Sequence, residues 1–192
     1  MPLTAPARSA LDWPGSPYPG GAVRQVRPLE TIVRAPRVFV FRSLTAFGEA
    51  SPCWERGLEP QLVDQDGATL TVRFHTRVLG RTFSHLDAVR LRPPEQIAYD
   101  RLPGSRIDLR AEVLLLPVDA RSTRLRVTAV VGVSLPFASG LGERAVAALL
   151  RRSVGDLLGH YRVTIEAAAR AAGLVEPDDA PRARRLSLHR HP

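Results

Sequence analysis

The chain has 192 residues, of which 44% are hydrophobic, and a formal charge of +8. No apolar run reaches the roughly 18 residues that a bilayer-spanning helix needs, and a single cysteine, Cys53, excludes an intrachain disulfide and a cysteine-built zinc module. Arginine alone carries the positive charge: there is no lysine and no asparagine, both encoded by AT-rich codons, so the bias reads first as the mark of a high-GC genome and only second as selection for phosphate binding.

In chain order, residues 1–23 form a Pro/Gly-rich stretch with Pro2, Pro6, Pro14, Pro17 and Pro19 and no apolar segment able to serve as a signal-peptide core. It reads as a disordered tail, and a cytoplasmic location is expected. Residues 24–173 are expected to make one domain. Gln25 to Val33 is strand-like, and Ala35-Pro36 then opens a helix running to about Phe47, because proline suits the first turn, where its missing N–H costs nothing. Val40, Phe41, Leu44 and Phe47 fall on one side of it at helical spacing. A second short helical piece is expected from Ala50 to Gly57, carrying Cys53, which as a lone cysteine is expected to be a small buried hydrophobe, and Trp54.

From Leu58 to Pro136 the pattern becomes alternation broken by regular turn signals, the mark of consecutive antiparallel strands. Strands are expected at Glu59 to Val63, Thr69 to Val78, Thr82 to Arg92, Gln96 to Leu102, Arg106 to Leu116 and Arg124 to Leu135. The breaks fall at Asp66-Gly67, Leu79-Gly80, Pro93-Pro94, Pro103-Gly104-Ser105 and Pro117 to Ser122. Short connections make successive strands hairpin neighbours. Gly142 to Ala172 then reads as one long helix with Gly173 as its stop. Its stripe of Val146, Leu150, Val154, Leu157, Tyr161, Ile165 and Ala168 needs a concave apolar surface to lie on. Residues 174–192, with Arg182, Arg184, Arg185 and Arg190, read as a solvated, disordered tail. Such a tail can touch an anionic membrane surface, and no specific nucleic-acid partner is expected.

A meander has a testable register, since facing residues on hairpin partners must be apolar together. A two-residue turn at Leu79-Gly80 sets Val72 opposite Asp87, Phe74 opposite His85 and Thr76 opposite Phe83. The next turn sets Leu91 against Ile97, Val89 against Tyr99 and Asp87 against Arg101. The following hairpin pairs Tyr99 with Leu109 and Ile97 with Ala111, and the last pairs Val113 with Val127, Ala111 with Ala129 and Leu109 with Val131. That face is mostly apolar. The other holds Arg73, His75, Arg77, Arg90, Asp108, Arg110, Glu112, Arg124 and Arg126, so it meets solvent and the helices must cover the dry side.

His85, Asp87 and Arg101, with Tyr99 beside them, stand out on the dry face. A carboxylate opposite a guanidinium in an apolar concavity is costly unless paired. One reading is a satisfied internal ion pair. The other is the polar end of a ligand cavity lined by the apolar residues of the register, with Leu150 and Leu157 from the helix. His75 and His85 fall on opposite faces, and His189 and His191 lie in the tail, so no metal site and no cofactor are expected.

The order strand, Ala-Pro turn, helix, six-strand meander, long helix resembles the START-like (SRPBCC) superfamily, including its polyketide cyclase/dehydrase and lipid-transport group. The resemblance is carried by Glu30-Thr-Ile-Val-Arg-Ala-Pro36 followed by Val38 to Phe41, by Trp54-Glu-Arg-Gly57, by Phe83-Ser-His85 and by Arg92-Pro-Pro-Glu-Gln-Ile97. It implies an α+β helix-grip fold, a curved antiparallel seven-stranded sheet around a long C-terminal helix. It also implies a hydrophobic small-molecule partner of lipid, quinone or aromatic polyketide type, held in an internal cavity by a carrier or sequestering protein. The alternative is a cyclase, aromatase or dehydratase in which His85 or Tyr99 exchanges protons while Arg101 stabilises an oxyanion. The resemblance supplies no catalytic set.

Overall fold

The computed structural model describes residues 22–48, 51, 53–54, 58–78, 81–104, 107–133 and 143–175. The tails at 1–21 and 176–192 lie outside the described residues, as do both residues of the Leu79-Gly80 turn. Strand β1 (Ala22–Val33) is followed by α1 (Arg37–Thr45), then by β2 (Gln61–Asp66), β3 (Thr69–Val78), β4 (Arg81–Arg92), β5 (Gln96–Arg101), β6 (Ile107–Asp119) and β7 (Ser122–Val133), and finally by α2 (Glu143–Ala171). The seven strands form one curved antiparallel sheet in the order β1-β7-β6-β5-β4-β3-β2.

Most of the sheet follows the hairpin arithmetic. Val72↔Asp87, Phe74↔His85 and Thr76↔Phe83 pair across β3 and β4, Val89↔Tyr99 and Asp87↔Arg101 across β4 and β5, and Val113↔Val127 and Ala111↔Ala129 across β6 and β7. The β5–β6 register differs: Tyr99 faces Ala111 and Ile97 faces Val113, two residues from the expected pairs. The strands end at Arg101 and restart at Ile107, so the connection is longer than a Pro103–Ser105 turn. A shift of two keeps every side chain on its own face.

Other expected boundaries also move: β2 spans Gln61–Asp66 rather than Glu59 to Val63, and β7 starts at Ser122 rather than Arg124. Strand β6 runs through Pro117 to Asp119, where a break was expected, with a bulge between Pro117 and Asp119. Its last pair with β5 is Leu114↔Gln96, so Pro117 lies beyond the end of β5 and its missing N–H interrupts no ladder on that side. The described residues of the expected second helical piece, Ser51, Cys53 and Trp54, form a turn, with Trp54 N–H donating to Ser51 O at 3.2 Å.

Fully buried Val33, Val72, Val89, Ile97, Leu115 and Leu125 from the sheet's inner face meet Val40 and Leu44 of α1 and Leu158, Ile165 and Ala169 of α2. Thr123 Oγ1 donates to Ala35 O at 2.8 Å and Arg34 N–H to Glu166 Oε1 at 2.9 Å, tying β7 and α2 to the turn between β1 and α1. The buried stripe of α2 centres on Val154, Leu158, Tyr161, Ile165 and Ala169 rather than on Leu157 and Ala168. At about 100° per residue, Leu157 points roughly 80° from the mean direction of that set, and it is exposed. At the C-terminus of α2, Gly173 adopts φ +68°, with Leu174 N–H bonded to Ala169 O and Gly173 N–H to Arg170 O, a Schellman motif.

The outer face carries cross-strand ion pairs. Asp100 bridges Arg90 and Arg110 across β4, β5 and β6, and Glu30 on β1 holds Arg126 at 2.6 Å and Arg124 at 3.8 Å on β7. Half-exposed pairs of this kind contribute about 0–1 kcal/mol each.

Candidate functional site

Strand alternation brings Val72 and Phe74 of β3, His85, Asp87 and Val89 of β4, and Tyr99 and Arg101 of β5 onto the inner face at neighbouring positions. Asp87 lies on the strand between the other two, opposite Val72 on one side and Arg101 on the other, and is only 3% exposed. Arg101 Nε donates to Asp87 Oδ1 at 2.9 Å and Nη2 to Oδ2 at 3.4 Å, a fork-on-carboxylate arrangement. His85 Nε2 stands 3.8 Å from Asp87 Oδ2, too far for a hydrogen bond but within electrostatic reach. Its ring stacks on Phe74 with centroids 5.8 Å apart and planes 17° from parallel.

Phe74 is the hub of an aromatic cluster. Phe47, Trp54 and Tyr99 meet it edge-on at 5.9, 6.1 and 6.1 Å, and Tyr161 of α2 closes on Trp54 at 6.0 Å. Such edge-to-face pairs are the favoured geometry of aromatic rings. Behind them Cys53 is buried, its N–H held by Ser51 Oγ, and Cys53 O lies 3.2 Å from His160 Nε2. Burial pushes the Cys53 thiol up to about 11, so it is a packed, protonated hydrophobe rather than a nucleophile.

The ionisation states of the polar end follow from burial and charge. Desolvation, then the Arg101 charge, lowers the His85 pKa, and Asp87 only partly opposes them, so the imidazole is neutral near pH 7. Burial raises the phenols of Tyr99 and Tyr161, the neighbouring Asp87 carboxylate adding to the effect on Tyr99. Both hydroxyls stay protonated. Neither makes a hydrogen bond to a described residue, nor does Arg101 Nη1, and buried Trp54 Nε1 has no partner among the described residues. Several donors of the aromatic cluster and of Arg101 are therefore unengaged by the described residues, while the Asp87 carboxylate is occupied by Arg101.

The remaining predicted residues divide. Val89 is fully buried, and Val113 and Val127 pack against the main core. Leu109, Ala111, Ala129 and Val131 form a separate small cluster further along β6 and β7. Phe83 is 53% exposed: it sits where β4 has β3 as a partner but has run past the end of β5, so that part of the hairpin lacks a third strand beside it. Leu157 is exposed, with Leu158 taking the inward position. The side chains of Thr76 and Leu150 lie outside the described residues. Absent from the predicted set are Phe47, Trp54 and Tyr161. Tyr161 was legible from the helical stripe, whereas Trp54 lies in a turn with no periodic pattern to place it.

Among the described residues no group of three His, Cys, Asp or Glu side chains could hold a metal ion, and no helix is long and apolar enough to cross a membrane. No family model and no curated protein matches the sequence. Solved structures do. The Zhui aromatase/cyclase from Streptomyces sp. R1128 superposes with TM-score 0.66 at 23% identity, covering 80% of this chain and 100% of that one. A protein from Thermus thermophilus gives 0.64 at 20% identity over 76% and 99% of the two chains. A START superfamily protein from Mycobacterium smegmatis gives 0.58 at 19% identity over 77% and 98%. These structures share the fold: the chain has an α+β helix-grip fold, a curved seven-stranded antiparallel sheet with a long C-terminal helix.

Proposed function

We propose that the protein binds an apolar, ring-containing small molecule between the inner face of its sheet and α2, as a carrier or sequestering protein. The observation that carries this reading is the meeting of Phe47, Trp54, Phe74, Tyr99 and Tyr161 in one aromatic cluster that reaches the buried Asp87–Arg101 pair through His85 and Tyr99, with hydrogen-bond donors left unengaged by the described residues. An apolar wall with a few convergent polar groups is the usual make-up of a small-molecule site. A ligand burying about 200 Å² of apolar surface there gains roughly 5 kcal/mol before association costs. The aromatase/cyclase and START proteins among the similar structures support the reading.

The test is native mass spectrometry of freshly purified protein, followed by equilibrium dialysis against a panel of one- to three-ring hydrophobes. A co-purifying mass or saturable uptake is expected, with uptake weakened about tenfold or more in Phe74→Ala, where the hub ring is removed. No bound mass and no saturable uptake of any panel member would overturn the proposal.

A second reading, a cyclase, aromatase or dehydratase, is favoured by one observation: a neutral imidazole, a protonated phenol and a guanidinium occupy the same end of the inner face. His85 would accept a proton from an enolisable carbonyl substrate, Tyr99 would donate one, and Arg101 would stabilise the developing oxyanion. His85→Ala should then lower turnover far more than binding. Equal losses in both point to the carrier.

A further inference from the structure

The charge balance of this polar end says what kind of oxygen it takes. Asp87 neutralises Arg101 through two hydrogen bonds, its side chain 4% and that of Arg101 10% exposed, so the guanidinium is not a free anion receptor. His85, whose ring faces the pair from the same strand as Asp87, adds no positive charge near pH 7. A carboxylate or phosphate brought here would lose its hydration and gain no net countercharge, with the Asp87 carboxylate beside it. Among the site's groups, Trp54 Nε1–H is buried with no partner among the described residues, and the hydroxyls of Tyr99 and Tyr161 and Arg101 Nη1 make no hydrogen bond to a described residue; all of these can donate, while acceptor capacity outside the paired Asp87 carboxylate is limited to the two hydroxyls and one nitrogen of neutral His85. A buried donor left unmatched, as Trp54 Nε1–H is among the described residues, is costly, and an uncharged acceptor relieves it without bringing a charge out of water.

We infer that Asp87 is the specificity-determining residue of the site: by occupying Arg101 it makes the site take ligands whose buried oxygen is an uncharged hydrogen-bond acceptor, such as an aromatic ketone or quinone, and refuse carboxylates and phosphates. The inference rests on the binding reading above and deepens it. Without Asp87 the same arginine becomes an anion receptor.

Three naphthalenes of nearly equal size separate the possibilities: 2-acetylnaphthalene, 2-ethylnaphthalene and 2-naphthoate. Each is measured by equilibrium dialysis against the full chain at about pH 7.5, where the acid is ionised. The ketone should bind at least about tenfold tighter than the ethyl compound, which lacks the acceptor, and tighter than the naphthoate by a similar factor or more. In Asp87→Asn, shown to be folded by circular dichroism, naphthoate affinity should rise at least about tenfold and overtake that of the ketone. If that variant does not fold, the ranking in the unmodified protein decides. Naphthoate binding as tightly as the ketone overturns the inference while leaving the binding reading intact, as does equal affinity for all three. Failure of all three to bind, together with no co-purifying mass and no saturable uptake of any panel member, removes the binding reading itself and this inference with it.

Discussion

Removing one member of the Asp87–Arg101 pair should be far more damaging than removing both. In Asp87→Leu the guanidinium of Arg101, 10% exposed, loses its only ionic partner among the described residues while its surroundings stay apolar. At the effective dielectric of about 20 that suits protein sites, two charges roughly 3.5 Å apart attract by about 5 kcal/mol, and breaking buried pairs typically costs roughly 3–5 kcal/mol. Arg101→Met, which strands the carboxylate, should cost a similar amount. For a domain of about 150 residues, each kcal/mol moves Tm by roughly 2–4 °C, so either single change should lower Tm by about 6–20 °C. The double variant Asp87→Leu/Arg101→Met places apolar groups of similar bulk on the inner face, and replacing buried pairs in this way is neutral or stabilising by about 1–4 kcal/mol. Urea unfolding followed by circular dichroism closes the double-mutant cycle. Single changes costing under about 1 kcal/mol, or a double variant that loses the sum of the two, would show that the pair is not a desolvated, mutually compensating unit. Recovery in the double variant would mean that the pair does not serve stability.

Cys53, 2% exposed with its thiol pushed up to about 11, should react with a thiol-specific disulfide reagent at pH 8 at least about a hundredfold more slowly in the native protein than after denaturation; equal rates would contradict its burial. Folded His85 titrates below its ordinary value of 6.5, so between the folded and unfolded values the unfolded chain binds the extra proton. Stability from this group is complete above about pH 7.5 and declines as pH falls through 6.5 toward the folded value; His85→Phe should flatten that stretch of the profile, and an unchanged slope would contradict the assignment. Gly173→Ala forces a side chain into the left-handed region at φ +68° and should cost about 1–2 kcal/mol by thermal unfolding, whereas an unchanged Tm would show that the α2 terminus relaxes freely.

The inner face was legible because alternation is unforgiving. Val72, Phe74, His85, Asp87, Val89, Tyr99 and Arg101 all follow from parity plus the registers of two turns, at Leu79-Gly80 and at Pro93-Pro94, and even the two-residue slip of β6 against β5 left that parity intact. Parity says nothing about where a sheet ends, which is why Phe83, on the correct face, lies in the open beyond the end of β5. The helix was harder. Leu157 and Leu158 are adjacent leucines, and which of them turns inward depends on how α2 rolls against β1 and α1, a tertiary choice that a 3.6-residue period does not make. Trp54 depends on the path of the chain after α1, set by contacts such as Ser51 Oγ with Ser43 O at 2.8 Å rather than by any local pattern.

The position of β1 against β7 bears on how the molecule is made. Glu30 and Arg126, bonded across that seam, are 96 residues apart in the chain. At about 5–20 residues per second, a ribosome needs roughly 5–20 s to deliver the partner after the first strand appears. The hairpins from β2 to β6 can close locally in the meantime, but the first strand waits with its backbone unpaired. The sheet thus grows from its β2 edge toward β7, and its opening segment, first to be synthesised, is among the last to be stitched in.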